Sequence, residues 1–100
     1  MHAVINRIRL REPIDADVFA AARAELPPAA AQIEGLIAFH VFRGEDALEL
    51  GVLVVGEHPQ ALEAMRERIG NAWMREHVVP HAAAPPERFV GEAVVSFERG

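Results

Sequence analysis

The chain has 100 residues, 51% of them hydrophobic and 25% charged, with a net charge of −5 at pH 7 and no cysteine. Disulfides, thiolate nucleophiles, iron–sulfur clusters and cysteine zinc sites are thereby excluded, and a nucleic-acid partner is disfavoured, since binding to a phosphate backbone depends on clustered cations. All ten cationic side chains are arginine, so no lysine amine is present for Schiff-base chemistry.

A chain this short buries roughly 60 to 65% of its unfolded surface, so the core is modest and a partner subunit would help it. No apolar run approaches the ~20 residues that span a bilayer, and the opening M-H-A-V-I-N-R is unlike a signal peptide because charge interrupts it early. The expectation is a single domain over residues 1–100, cytoplasmic, with no membrane or nucleic-acid partner.

Ala3 to Arg11 alternates, with Val4, Asn6, Ile8 and Leu10 on one face and Ala3, Ile5, Arg7 and Arg9 on the other, which predicts a strand. Pro13 stops it. Asp15 or Asp17 then caps a helix whose apolar stripe runs Val18, Phe19, Ala22, Leu26. Pro27-Pro28 is expected to break or kink that helix, although Ala30 and Ile33 continue the stripe up to Gly35. Leu36 to Arg43 and Ala47 to Val55 are β-rich runs around the turn G-E-D, a predicted hairpin. A second helix starts at Pro59 and carries Ala61, Leu62, Met65 and Ile69 to Gly70-Asn71; Trp73 and His77 extend its stripe if it resumes. After H-A-A-A-P-P, the alternating run Phe89 to Phe97 predicts a fourth strand.

The order β-α-β-β-α-β builds a ferredoxin-like α+β fold, a four-stranded antiparallel sheet with both helices on one face. The other face is left rich in Leu, Val and Ile, and homodimerisation through this open sheet face covers it most economically.

Four stretches, in this order and spacing, resemble the dimeric α+β barrel superfamily, and within it the antibiotic-biosynthesis-monooxygenase-like domains. They are V-I-N-R-I-R-L with its central Asn, E-G-L-I-A-F-H-V-F-R, V-V-G-E-H-P-Q-A-L, and W-M-R-E-H before the last strand. The resemblance covers nearly the whole chain. It implies a pocket for flat hydrophobic molecules between the sheet and the second helix. Some members oxidise polyketide quinols with O2 and no metal or organic cofactor; others bind and degrade heme. It also implies pocket roles for Asn6 on the first strand and for His77 late in the second helix. The heme-degrading members carry a Trp at the exit of the third strand, where this chain has Val55-Gly56, so the resemblance to them is incomplete.

Asn6 stands among Val4, Ile8 and Leu10, where an amide either bonds neighbouring backbone or meets a ligand. Trp73 and His77 are four residues apart and share a helical face. His77 near a helix C-terminus is favoured in its charged form, which suits a general acid. Asn6 and His77 are therefore the candidate catalytic residues, and Trp73, Phe39, Met65 and His40 the candidate substrate contacts. The face on which His40 lies is left open by the alternation. His77 and His81 have a metal-pair spacing, but Pro80 ends the helix between them, so no metal site is expected. Arg7 and Arg9 would meet Glu49 and Glu92 inside a barrel between two sheets, or else bind an anionic substrate.

Three functions follow. The first is a cofactor-independent monooxygenase-like enzyme for a flat aromatic or polyketide-like substrate: Asn6 bonds a substrate oxygen, Trp73 stacks, and His77 moves a proton. The second is a dimer that binds heme or another hydrophobic ligand without turnover. The third is a structural or regulatory dimer whose pocket is filled by Phe39, Met65, Met74 and Trp73.

Overall fold

The computed structural model describes residues 1–99. It contains β1 (His2–Arg9), α1 (Ala16–Ala30), β2 (Leu36–Arg43), β3 (Glu49–Gly56), α2 (Pro59–Met65) and β4 (Glu87–Glu92). The strands form one antiparallel sheet in the order β2-β3-β1-β4, the ferredoxin-like arrangement expected from the element order.

Register assigns each strand residue a face, because side chains alternate with a period of two. Val4, Asn6 and Ile8 of β1 lie opposite Val54, Val52 and Leu50 of β3, and Phe39 and Val41 of β2 lie opposite Val54 and Val52. That row faces the helices. One core cluster gathers Val4, Ala30, Ile33, Val54, Leu62, Met65 and Ile69; a second gathers Ile8, Leu10, Ile14, Leu50 and Val78. Val52 packs against both. The opposite face carries Ala3, Ile5 and Arg7 of β1, Gly51, Leu53 and Val55 of β3, Ala38, His40 and Phe42 of β2, and Glu87, Phe89 and Gly91 of β4. No helix covers it, and Ile5, Phe42 and Phe89 remain 47%, 55% and 66% exposed.

Three local features differ from the sequence reading. The α1 helix runs through Pro27-Pro28 to Ala30 instead of breaking. Its end tightens: the Gln32 and Ile33 amides donate to the Ala29 and Ala30 carbonyls, three residues back. The helix that begins as α2 does not stop at Gly70-Asn71. It continues through wide π-type turns at Arg66–Gly70 and Met74–Val78, where the Asn71 amide donates to the Arg66 carbonyl and Val79 to Met74, and ends in the 3-10 turn Val79–His81. Gly70 and Asn71 keep right-handed helical dihedrals, so neither acts as a stop.

The third difference is β4, which spans Glu87–Glu92 rather than Phe89 to Phe97. Its ladder ends where the Ala93 amide donates to the Met1 carbonyl at 2.9 Å, and the apolar residues beyond lie past the paired register. Gly35 is needed where it stands: its φ is +82°, and a Cβ there would come within 2.7 Å of the imidazole of His58. That imidazole caps α2 by accepting from the Ala61 amide.

Ile8 is fully buried on the central row. Ile8→Ala is expected to destabilise the fold by about 2 to 5 kcal/mol in denaturant unfolding, the cost of a core truncation that leaves a cavity.

Candidate functional site

A cleft of about 650 Å³ opens along β2, walled by α1 on one side and closed at one end by Trp73. Phe19, Leu26, Phe39 and Val41 supply its apolar surface. It exists because α1 turns small residues toward β2: Ala22, Ala30 and Ala31 line it, and methyl groups cannot fill the space that larger side chains would. β2 is also an edge strand, paired with β3 on one side only, so its outer row of amides and carbonyls runs along the cleft.

The polar groups of the cleft are few and specific. Arg23 and Arg43 bring guanidiniums to its lining, and His40 is its only imidazole. Pro27 lacks an N–H, so the carbonyl of Arg23 loses the donor that a helix normally supplies four residues on. Such a mixture of aromatic and aliphatic surface with a small set of fixed polar groups suits a flat organic molecule that carries oxygen substituents.

The predicted residues are only partly brought together. Trp73, Phe39 and His40 line the cleft. His40 belongs to the open sheet face, where it is exposed and stacked on Phe42 with ring centroids 5.8 Å apart, which settles the face that alternation left open. Met65 is packed in the first core cluster at 6% exposure and is not on the lining of the cleft. His77 packs beside Trp73, centroids 6.0 Å apart with a 50° tilt, and is not on the lining. Asn6 is half-buried on the helix face as expected, but Val52 stands between it and Val41, which puts two strand spacings, roughly 10 Å, between Asn6 and the cleft. The cleft lies between α1 and the β2 edge, with Trp73 as its one lining residue from the second helical stretch.

Phe19, Arg23, Leu26 and Arg43 were not singled out as site residues in the sequence. Phe19 and Leu26 read as an ordinary core stripe; the signal that sets them apart is the alanine content of the same helix. His81 is engaged by Glu12, Nδ1 to carboxylate 2.6 Å, and among the described residues no cluster of three metal-ligating side chains forms.

The arginine pair of the open face is organised by Glu49. The Arg7 guanidinium donates to its carboxylate, and Arg9 lies 3.7 Å away. The hydrogen bond and charge of Glu49 raise the Arg7 pKa above its ordinary value. Glu92, expected in this network, is on the opposite parity, facing His2; the β4 residue level with Arg7 is Glu87.

No family model matches the sequence, and no curated protein matches it significantly. Solved structures do share its fold. A protein of unknown function from Nitrosomonas europaea superposes with a TM-score of 0.75 at 17% identity, covering 99% of this chain and 94% of that one. A monooxygenase from Streptomyces coelicolor, solved with the ligand nanaomycin D, gives 0.73 at 13% identity over 99% and 92% of the two chains. The cofactor-independent oxygenase SnoaB from Streptomyces nogalater gives 0.69 at 13% identity over 98% and 97%. The resemblance read from the sequence is therefore a likeness of the whole fold to antibiotic-biosynthesis-monooxygenase structures.

Trp73 is the only tryptophan, so its fluorescence reports its neighbour. Taking away the imidazole 6.0 Å from the indole, in His77→Ala, is expected to shift the Trp73 emission maximum. An emission spectrum unchanged in His77→Ala would show that the two rings do not interact.

Proposed function

We propose that the chain is one protomer of a cofactor-independent, monooxygenase-like homodimer that takes a flat aromatic or polyketide-like substrate into the cleft between α1 and β2. The observation that carries this reading is the cleft itself, about 650 Å³ with Phe19, Phe39 and Trp73 on its walls and Arg23 and Arg43 beside them. The fold is shared with an oxygenase described as cofactor-independent and with a monooxygenase that holds a ligand, which supports the reaction class.

In this reading the rings of the substrate lie against Trp73 and Phe39, and an ionised phenolic oxygen is held by the guanidiniums of Arg23 and Arg43. The two guanidiniums favour the ionised phenol, whose proton passes to solvent at the open edge of the cleft. Deprotonation makes the substrate electron-rich, and the substrate itself then supplies the electrons that reduce O2. His77 serves as a positioning residue, holding the Trp73 ring from behind. Asn6, behind Val52, contributes to the interior and not to the chemistry.

The homodimer forms through the open sheet face. Its apolar end, Ile5, Leu53, Val55 and Phe89, meets the like surface of a second copy, while the Arg7, Arg9, Glu49 and Glu87 end offers both signs of charge for pairing across a two-fold axis. Burying those charges requires that each finds its opposite.

Two tests follow. Titration of a polycyclic phenol or quinone should change Trp73 fluorescence, and Ala22→Leu, which fills the cleft, should weaken binding about tenfold or more. Oxygen uptake with the same phenol, without added metal or cofactor, distinguishes an enzyme from a module that only binds. Arg9→Glu sets two carboxylates against each other at Glu49 and should convert the dimer to monomer in light scattering. A variant that stays dimeric would place the interface elsewhere.

A further inference from the structure

The two ends of the cleft differ in charge. β1 and β2 are both antiparallel to β3 and therefore parallel to each other, so α1, which joins the end of β1 to the start of β2, runs back along them. The first turns of α1 lie over the end of β2, and its last turns over the start. Packing agrees: Phe19, Val41 and Trp73 pack against the second core cluster, Leu26, Leu36 and Phe39 against the first. Arg43 is two residues past Val41 on the helix-facing row, and Arg23 is one turn past Phe19. The two cations thus enter from opposite walls toward the Trp73 end, while Leu26, Pro27, Ala30 and Leu36 keep the other end free of charge.

Neither guanidinium has an acid to pair with. At helical spacing from Arg23 stand Phe19, Ala20, Leu26 and Pro27, whereas Arg66 on the other helical stretch finds Glu63 three residues away. Arg43 is level with Leu50 across the ladder. Of the acids that follow it, Glu45 is exposed, Asp46 accepts from the Leu48 amide and Glu49 is held by Arg7. Among the described residues Arg23 and Arg43 form no ion pair, and no Asp or Glu lines the cleft. In a chain with 15 acidic and 10 basic side chains, a lining with two cations and no anion runs against the composition.

We infer that the ligand is a doubly charged aromatic acid, whose carboxylate is forked by one guanidinium while the other holds its ionised phenol. The inference rests on the cleft being the substrate site, as proposed above. A phenolate alone brings one negative charge to two cations, and as its rings displace water one guanidinium would lose solvent without gaining an anion. A carboxylate completes the balance, and its two oxygens match the planar fork of arginine. It also sets the orientation, with the charged edge toward Trp73 and the hydrocarbon toward Leu26 and Leu36. The two groups sit on one ring without being adjacent, since a neighbouring carboxylate would accept the phenol's hydrogen bond and hold its proton in place.

Calorimetric titration of the full chain with 4-hydroxy-2-naphthoic acid and with its primary amide, alike in shape but without the carboxylate charge, tests this. The acid should bind about tenfold or more tightly than the amide, and the preference should shrink as salt is raised. Arg23 and Arg43 are exposed and outside both core clusters, so Arg23→Gln and Arg43→Gln can be compared as folded proteins; each should bring the ratio of acid to amide affinity toward one. Ala22→Leu should weaken both ligands together. Equal binding of acid and amide to the wild type, or a preference unchanged in both glutamine variants, would overturn the doubly charged ligand and leave the cleft as the site. Failure of either ligand to bind, or binding that Ala22→Leu does not weaken, would overturn the cleft and this inference with it.

Discussion

The alternation of β1 is the constraint on which the rest depends. As a central strand between β3 and β4, it commits Val4, Asn6 and Ile8 to the helices and Ile5, Arg7 and Arg9 to the other side. A slip of one residue would bury two arginines and expose Ile8, so the register is strongly specified. With both helices taken up by one face, the other keeps exposed Ile5, Phe42 and Phe89 beside a charged end organised by Glu49. Sheet and core thus arise from the same choice that leaves the second sheet face uncovered.

The cleft arises from a different choice. α1 touches the core through Val18, Phe19, Leu26 and Ala30, while Ala22, Ala30 and Ala31 leave space above β2. Larger side chains at Ala22 or Ala31, which belong to neither core cluster, would fill that space and remove the site. Pro27 lies on the same wall without breaking the helix. Binding surface and core therefore overlap: Phe19, Leu26, Ala30, Leu36, Phe39, Val41 and Trp73 belong to both, whereas Ala22 and Ala31 line the cleft alone.

The fold was legible in the sequence because each element carried a clear period. Val4, Ile8 and Leu10 at spacing two and four, and Ala61, Leu62, Met65 and Ile69 at helical spacing, lie where the pattern put them. The run to Phe97 misled because alternation reports that a segment is fit to be a strand, not that a neighbouring strand is there to pair with it. The site was less legible. Trp73, Phe39 and His40 do line the cleft, but Asn6 and His77 were joined to them by a pocket placed under the second helix, and the interior there is filled by Val52, Leu62 and Met65. A cavity is a residue of packing, and the alanines that create this one read as neutral helix formers until their neighbours are in place.

The central claim is that ligand binding is confined to the cleft between α1 and β2. Amide chemical-shift mapping with a polycyclic phenol tests it most directly. The largest changes should fall on residues 19–31 and 36–43 and on Trp73. Changes centred instead on Asn6 and its neighbours on β1, with α1 unperturbed, would contradict it.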